Sequence, residues 1–152
     1  MDGLTNRKID EYYKEKTRKK RILKKYKKNR ACVARLKNKL ELVTSKVDSI
    51  GASKISNTPK GGIKKTTADL VNEKIDLERR IAKLEKSGRK LKENTYDLID
   101  QILEPKLVEI MELLFIKCYE MDDVADMLGL SKRQLFRNYE LAIDSISLEE
   151  ED

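Results

Sequence analysis

The sequence has no histidine and no tryptophan, only two cysteines, two prolines and six glycines, and 5% aromatic residues across 152 positions. Without histidine, and with Cys32 and Cys118 far apart, no zinc-binding spacing can be assembled and no disulfide framework is indicated. The two thiols read as small, reduced apolar side chains of a cytoplasmic protein. No phosphate-binding glycine loop and no paired nucleophile and base occur, so the chain is expected not to be an enzyme and to need no metal or cofactor. No apolar core of a secretory signal opens the sequence. The most apolar run, LVEIMELLFI at 107–116, contains two glutamates and falls short of the about 20 residues that cross a bilayer, so no membrane partner is expected. Scarce aromatics leave little material for a large core, and scarce proline and glycine favour long helices with a narrow apolar seam.

What the chain has in excess is charge, at 40% of residues, and that charge is unevenly placed. Residues 1–46 hold 17 Lys and Arg against 5 Asp and Glu; residues 104–152 hold 5 against 13. A basic head favours a polyanion, most simply nucleic acid. Between Lys14 and Arg30 there are 11 basic residues in 17, a density that opposes helix formation by like-charge repulsion and that phosphate contact would relieve by counterion release. Lys19, Lys20, Arg21, Lys24, Lys25, Lys27, Lys28 and Arg30 are therefore candidates for contact with a DNA backbone. A solvated helix or arm is the plainer reading, and pairing with the acidic tail Glu149–Asp152, in competition with DNA, is a third.

The spacing predicts an all-α chain: a long coiled-coil-like helical hairpin followed by a three-helix helix-turn-helix module. The first helix, within residues 1–50, carries Ile22, Tyr26, Val33, Leu36, Leu40, Val43, Val47 and Ile50, spaced 3, 4, 3, 4, 3 from Val33 onward. NRACVAR at 29–35 has a superficial likeness to a basic-region leucine zipper, but its leucine repeat is short. Residues 51–66 read as a linker rich in Gly, Ser, Thr and Pro, with Thr66 or Thr67 capping the next helix. The second helix, 67–103, repeats Leu70, Leu77, Ile81, Leu84, Leu91, Leu98 and Ile102, with Gly88 as a weak point on the seam and Asp76–Arg80 and Glu85–Arg89 as supporting pairs. The two seams can close on each other or across a homodimer.

Residues 104–146 have the offsets of a helix-turn-helix, followed by an acidic tail at 147–152. Val124 and Leu128 face inward, Ala125 is small where helices cross, Gly129 suits the turn, Ser131 is a good N-cap and Leu135 anchors the second helix. The outward face of that helix, Ser131, Lys132, Arg133, Gln134, Phe136 and Arg137, is the candidate for entering a major groove. Arginine can read guanine and glutamine adenine through paired hydrogen bonds, so Arg133, Gln134 and Arg137 are the candidate base readers. The same side chains can instead bind phosphate or remain solvated.

The stretch LEPKLVEIMELLFIKCYEMDDVADMLGLSKRQLFRNYELAI resembles region 4 of sigma factors. It resembles more closely the sigma-like C-terminal domain of ArpU/RinA-type phage transcriptional regulators, whose pattern is matched by TPKGG at 58–62, Leu103–Pro105, Val124–Gly129 and Ser131–Gln134. The likeness spans roughly residues 50–146. It implies a sequence-specific regulator of phage or prophage genes, acting on duplex DNA in the bacterial cytoplasm, with RNA polymerase as a further partner. Asn138 departs from the pattern, standing where an apolar residue usually packs, and the module is net acidic. Two other readings remain: a packaging protein like a small terminase subunit, and a module that binds polymerase rather than DNA. With no Trp and only Phe115 and Phe136, the chain lacks the aromatic segment a complete sigma factor uses to melt DNA.

Overall fold

The computed structural model describes residues 2–52 and 66–149, with side chains placed for 5–50 and 66–149. All regular structure among the described residues is helical: α1 (Asp2–Ala52), α2 (Thr67–Ile99), α3 (Pro105–Phe115), α4 (Met121–Leu128) and α5 (Lys132–Asp144). The chain divides into two compact units, Asn29–Gly88 and the remainder, so that α1 and α2 each contribute to both. None of the described helices is long and apolar enough to cross a membrane. The TPKGG motif at 58–62 and most of the expected linker lie outside the described residues, and so do residues 150–152 of the acidic tail.

In the unit Asn29–Gly88 the seams of α1 and α2 close on each other within one chain. Val33, Leu36 and Val43 pack with Leu77 and Ile81, flanked by Leu40 and Leu84. The hairpin is antiparallel: Asn29 meets Leu84 and Gly88, while Val43 lies at the opposite end of the packed seam. Thr66 starts α2, its hydroxyl accepting from the Asp69 amide (3.2 Å) while Asp69 accepts from the Thr66 amide (3.3 Å). The two exchange bonds as a capping box does. Glu85 forms its ion pair with Lys37 of α1 at 2.8 Å, across the hairpin, where a pair with Arg89 along α2 was expected.

Gly88 is a fitted position. The Asn29 side chain donates to the Leu84 carbonyl (3.0 Å), and a β-carbon at position 88 would stand 2.4 Å from the Asn29 carboxamide oxygen. The half-buried asparagine thus satisfies itself on the α2 backbone only where no side chain intervenes. Gly88→Ala alone gains about 1 kcal/mol of helix propensity but must displace that hydrogen bond. In an Asn29→Ala background the same substitution is expected to stabilise by roughly that full amount. Equal effects of Gly88→Ala in the two backgrounds, measured by urea unfolding, would contradict this fit.

The second unit combines the first 28 residues with Arg89 onward. Here α3, α4 and α5 surround Ile110, Met111, Val124, Leu135 and Ile143, all essentially buried. Two contributions come from outside the three helices. Leu23 of α1 is fully buried in this core, and so is Ile99 of α2. The sequence reading placed Ile22 on the seam, yet Ile22 is only half-buried and its neighbour Leu23 is the anchor. The physical reason is that α1 serves two cores, so no single heptad register runs its length. Likewise α2 ends at Ile99, four residues before its expected end. Ile102 is buried from a turn closed by its amide on the Ile99 carbonyl (3.0 Å), and Glu104 takes the extended backbone that precedes Pro105.

The Gln101 carboxamide clamps the chain after α5, donating to the Ser147 carbonyl (3.0 Å) and accepting from its amide (2.8 Å). Between α3 and α4, Cys118 adopts a left-handed backbone (φ 61°), with Tyr119 N–H returning to the Leu113 carbonyl at 3.0 Å. A non-glycine residue there carries strain of about 1 kcal/mol. Cys118→Gly is therefore expected to leave the melting temperature unchanged or raise it slightly, and a clear fall would show that the thiol's packing outweighs the strain.

Candidate nucleic-acid interface

The helix-turn-helix is built locally, residue by residue. Gly129 caps α4 with φ 65°, in the left-handed region that glycine enters at least cost, and its amide returns to the Ala125 and Asp126 carbonyls. Leu130 tucks against the core. Ser131 caps α5: its hydroxyl accepts from the Gln134 amide (3.1 Å), and the Gln134 side chain accepts from the Ser131 amide (3.0 Å). This reciprocal arrangement fixes the angle at which α5 leaves the turn. Next to the half-buried Asn138, Tyr139 is buried and stacked on Phe115 with ring centroids 6.2 Å apart.

The six candidates at the start of α5, Ser131, Lys132, Arg133, Gln134, Phe136 and Arg137, are all exposed. Phe136, turned about 100° around the helix from the core anchor Leu135, keeps 55% of its surface in solvent, with its ring centre 6.1 Å from that of Tyr139. Lys132 pairs with Asp122 at 3.3 Å, both side chains mostly exposed, a contact of small energetic weight. Gln134 differs from the two arginines. Its side-chain oxygen is already engaged in the cap, so a paired contact with adenine would have to give up the Ser131 bond. Arg133 and Arg137 form no ion pair among the described residues.

The spacing of Arg133, Arg137, Glu140 and Asp144 places them along one side of α5. The acidic half of that stripe is covered by α1. Lys16 forms an ion pair with Glu140 and lies 3.5 Å from Asp144; Lys20 reaches Glu140 at 3.1 Å; the Tyr12 hydroxyl donates to Asp144 at 2.8 Å. The Lys20 ammonium also stands 5.4 Å from the Tyr139 ring centre, and Lys27 pairs with Glu120 at 3.2 Å. Tyr12, Lys16, Lys20, Leu23 and Lys27 share one face of α1 by their spacing. Sequence reasoning missed this clamp, and Lys16 was not among the candidates. The acids it engages are Glu120, Glu140 and Asp144, and residues 150–152 of the tail, an alternative partner for these lysines, lie outside the described residues.

Of the expected phosphate contacts, Lys20 and Lys27 are thus paired with the protein's own acids, Lys27 in a largely exposed pair. Lys19 is half-buried, and Arg21, Lys24, Lys25, Lys28 and Arg30 are exposed. Arg30 belongs to the hairpin unit. The unit that contains the helix-turn-helix carries 20 Lys and Arg and 20 Asp and Glu, so docking α1 cancels the module's acidic excess.

The clamp has a pH signature. Burial alone would raise the Glu140 carboxyl, but hydrogen bonds from Lys16 and Lys20 outweigh it and hold Glu140 below its ordinary value of 4.5. Burial alone would lower Lys16, but bonds to Glu140 and Tyr12 and the nearby Asp144 hold it above 10.5. Burial pushes the Tyr139 phenol up to about 12, assisted by Glu140. A carboxyl depressed on folding stabilises above its unfolded pKa and ceases to do so as acid protonates it. A lysine or phenol raised on folding stabilises fully below its unfolded pKa, and that contribution is lost above it. Thermal stability is therefore expected to fall below about pH 4.5 and above about pH 10, with Glu140→Gln flattening the acid limb. An unchanged acid limb in that variant would remove Glu140 from the account.

Among the described residues no cluster of His, Cys, Asp and Glu could hold a metal ion. Comparison with protein-family models, with curated proteins and with solved structures finds no match.

Proposed function

We propose that the chain is a sequence-specific duplex-DNA-binding transcriptional regulator of the phage or prophage type that residues 103–143 resemble. The observation that carries the reading is the capped start of α5, which presents Arg133 and Arg137, without an ion pair among the described residues, on its outward face beside exposed Phe136. A helix in a major groove reads bases with its first turns, and two unengaged arginines there can each make a paired contact with guanine. The clamp removes an objection to this reading. Glu140 and Asp144, in line with the arginines, would repel phosphate if bare, but Lys16, Lys20 and Tyr12 already engage them.

The test is selection from a pool of random-sequence duplexes at about 0.15 M salt, where nonspecific attraction is moderated. Enrichment of one motif is expected. A pool that stays random after repeated rounds would remove the reading.

One observation favours a second reading. Asp122, Asp123 and Asp126 are exposed on α4, where a helix-turn-helix lies against the DNA backbone. Those acids suit a basic protein surface, such as one on RNA polymerase, better than phosphate. Nuclease-resistant retention of polymerase, lost on Asp122→Asn with Asp126→Asn, would favour it.

A further inference from the structure

We infer that the side of α1 facing away from the clamp is a second DNA contact, a sequence-independent strap for the phosphate backbone. The inference rests on the DNA-binding reading above and adds to it which surface supplies the affinity that the recognition helix lacks.

Lys16, Lys20 and Lys27 take one face of α1 and find acids there. Lys14, Arg18, Arg21, Lys25 and Lys28 recur at steps of 4, 3, 4 and 3, and by that spacing they form a stripe on the opposite side of the same helix. Lys14, Arg21, Lys25 and Lys28 are exposed. The stripe has almost no countercharge of its own. No Asp or Glu occurs between Glu15 and Glu41, and its ion pairing among the described residues is a long 3.9 Å contact between Arg18 and Glu15. A folded protein gains nothing from five like charges in a row, because at these spacings they repel one another. The helix bears them because Leu23 and the clamp pin its other face.

A polyanion turns that liability into binding energy by releasing counterions. From Lys14 to Lys28 the helix advances about 21 Å, and duplex DNA offers one phosphate per roughly 1.7 Å of axis, so a straight row of long cationic side chains can meet several phosphates at once. Apart from Tyr13, which lines a shallow groove with Lys14, Arg18 and Arg21 at its N-terminal end, the stripe lacks the interleaved large apolar residues that would seat it in a lipid interface. Duplex phosphate is the occupant that its charge and shape fit.

The experiment uses the full chain with Arg21→Gln, Lys25→Gln and Lys28→Gln combined, on a duplex of arbitrary sequence, across a salt series. Affinity near 0.1 M salt is expected to fall by about two orders of magnitude, and the slope of log affinity against log salt to shrink by roughly 2 to 3. Because these side chains are exposed and unclamped, the melting temperature should hold or rise. The charge-keeping variant Arg21→Lys, Lys25→Arg, Lys28→Arg should bind as the parent does. Unchanged duplex affinity and slope in the glutamine variant would overturn the strap, and so would a loss confined to anionic phosphatidylserine vesicles. The result stands apart from the recognition-helix reading. A strap without a preferred site leaves this slope change intact, whereas a preferred site without a strap leaves the slope unaltered.

Discussion

Replacing Arg133 and Arg137 together by alanine is expected to cost the preferred site roughly 30- to 10⁴-fold in affinity, since a paired arginine–guanine contact contributes about 1–3 kcal/mol of discrimination and about 1.4 kcal/mol is tenfold. Affinity for arbitrary duplex should change far less, because that binding depends on phosphate contacts elsewhere. Both side chains are exposed, so the variant should melt with the parent. Parallel titrations of the selected site and a scrambled duplex separate the outcomes. If both affinities fall equally, the arginines touch phosphate only and position the helix without reading sequence. Gln134→Ala should behave differently. It removes half of the cap that orients α5, so it is expected to cost stability of about 0.5–2 kcal/mol and to weaken site binding through misplacement of its neighbours.

Leu23→Ala carries the largest expected stability effect, about 2–5 kcal/mol, because it deletes a fully buried side chain that joins α1 to the helix-turn-helix core. Leu42 lies on the same helix with 66% of its surface exposed, and Leu42→Ala should stay within about 0.5 kcal/mol. The contrast measures whether α1 is a structural member of the module or an arm laid beside it. Similar urea midpoints for the two variants would mean that α1 is an arm. If it is a member, losing Leu23 also frees Lys16 and Lys20 from Glu140, leaves acids bare beside Arg137, and weakens DNA binding beyond what unfolding explains.

The parts legible in the sequence are those fixed by neighbours in the chain. Gly129, Ser131 and Gln134 signal a turn and a cap within six residues, and Val124, Ala125 and Leu135 mark the inward face by their offsets, so the helix-turn-helix is readable before any tertiary contact is known. The heptad from Val33 to Val43 is readable for the same reason, and it closes as a hairpin within one chain. What the sequence hides are pairings between residues far apart. Lys16 and Glu140 are an ordinary lysine and glutamate until the fold brings them together across 124 positions. Leu23 looks like one more apolar residue beside Ile22, because a helix that serves two cores obeys neither periodicity throughout. Gly88 reads as a helix defect until Asn29 occupies the space above it. The acidic balance of residues 104–152 reads as adverse to DNA binding for a similar reason: Glu120, Glu140 and Asp144 meet their lysines, Lys16, Lys20 and Lys27, only in the fold.

The clamp also divides the basic helix into lysines that hold the protein together and cations that face solvent. Charge count alone treats Lys20 and Lys25 as equivalent phosphate contacts. Their environments separate them, since Lys20 lies between Glu140 and the Tyr139 ring while Lys25 is exposed. Lys20→Ala should therefore act first on stability, and substitutions on the outer stripe first on salt-dependent affinity.

The central claim is that the outward face of α5 reads duplex sequence. It is tested most directly by recovering fragmented genomic DNA of the native host with the parent protein and with the Arg133→Ala, Arg137→Ala variant, and sequencing both. The account predicts one shared motif under the parent's recovered fragments and its loss in the variant, with the total DNA retained at low salt nearly unchanged. Recovery of fragments without a common motif by the parent, or of the same motif by the variant, would contradict it.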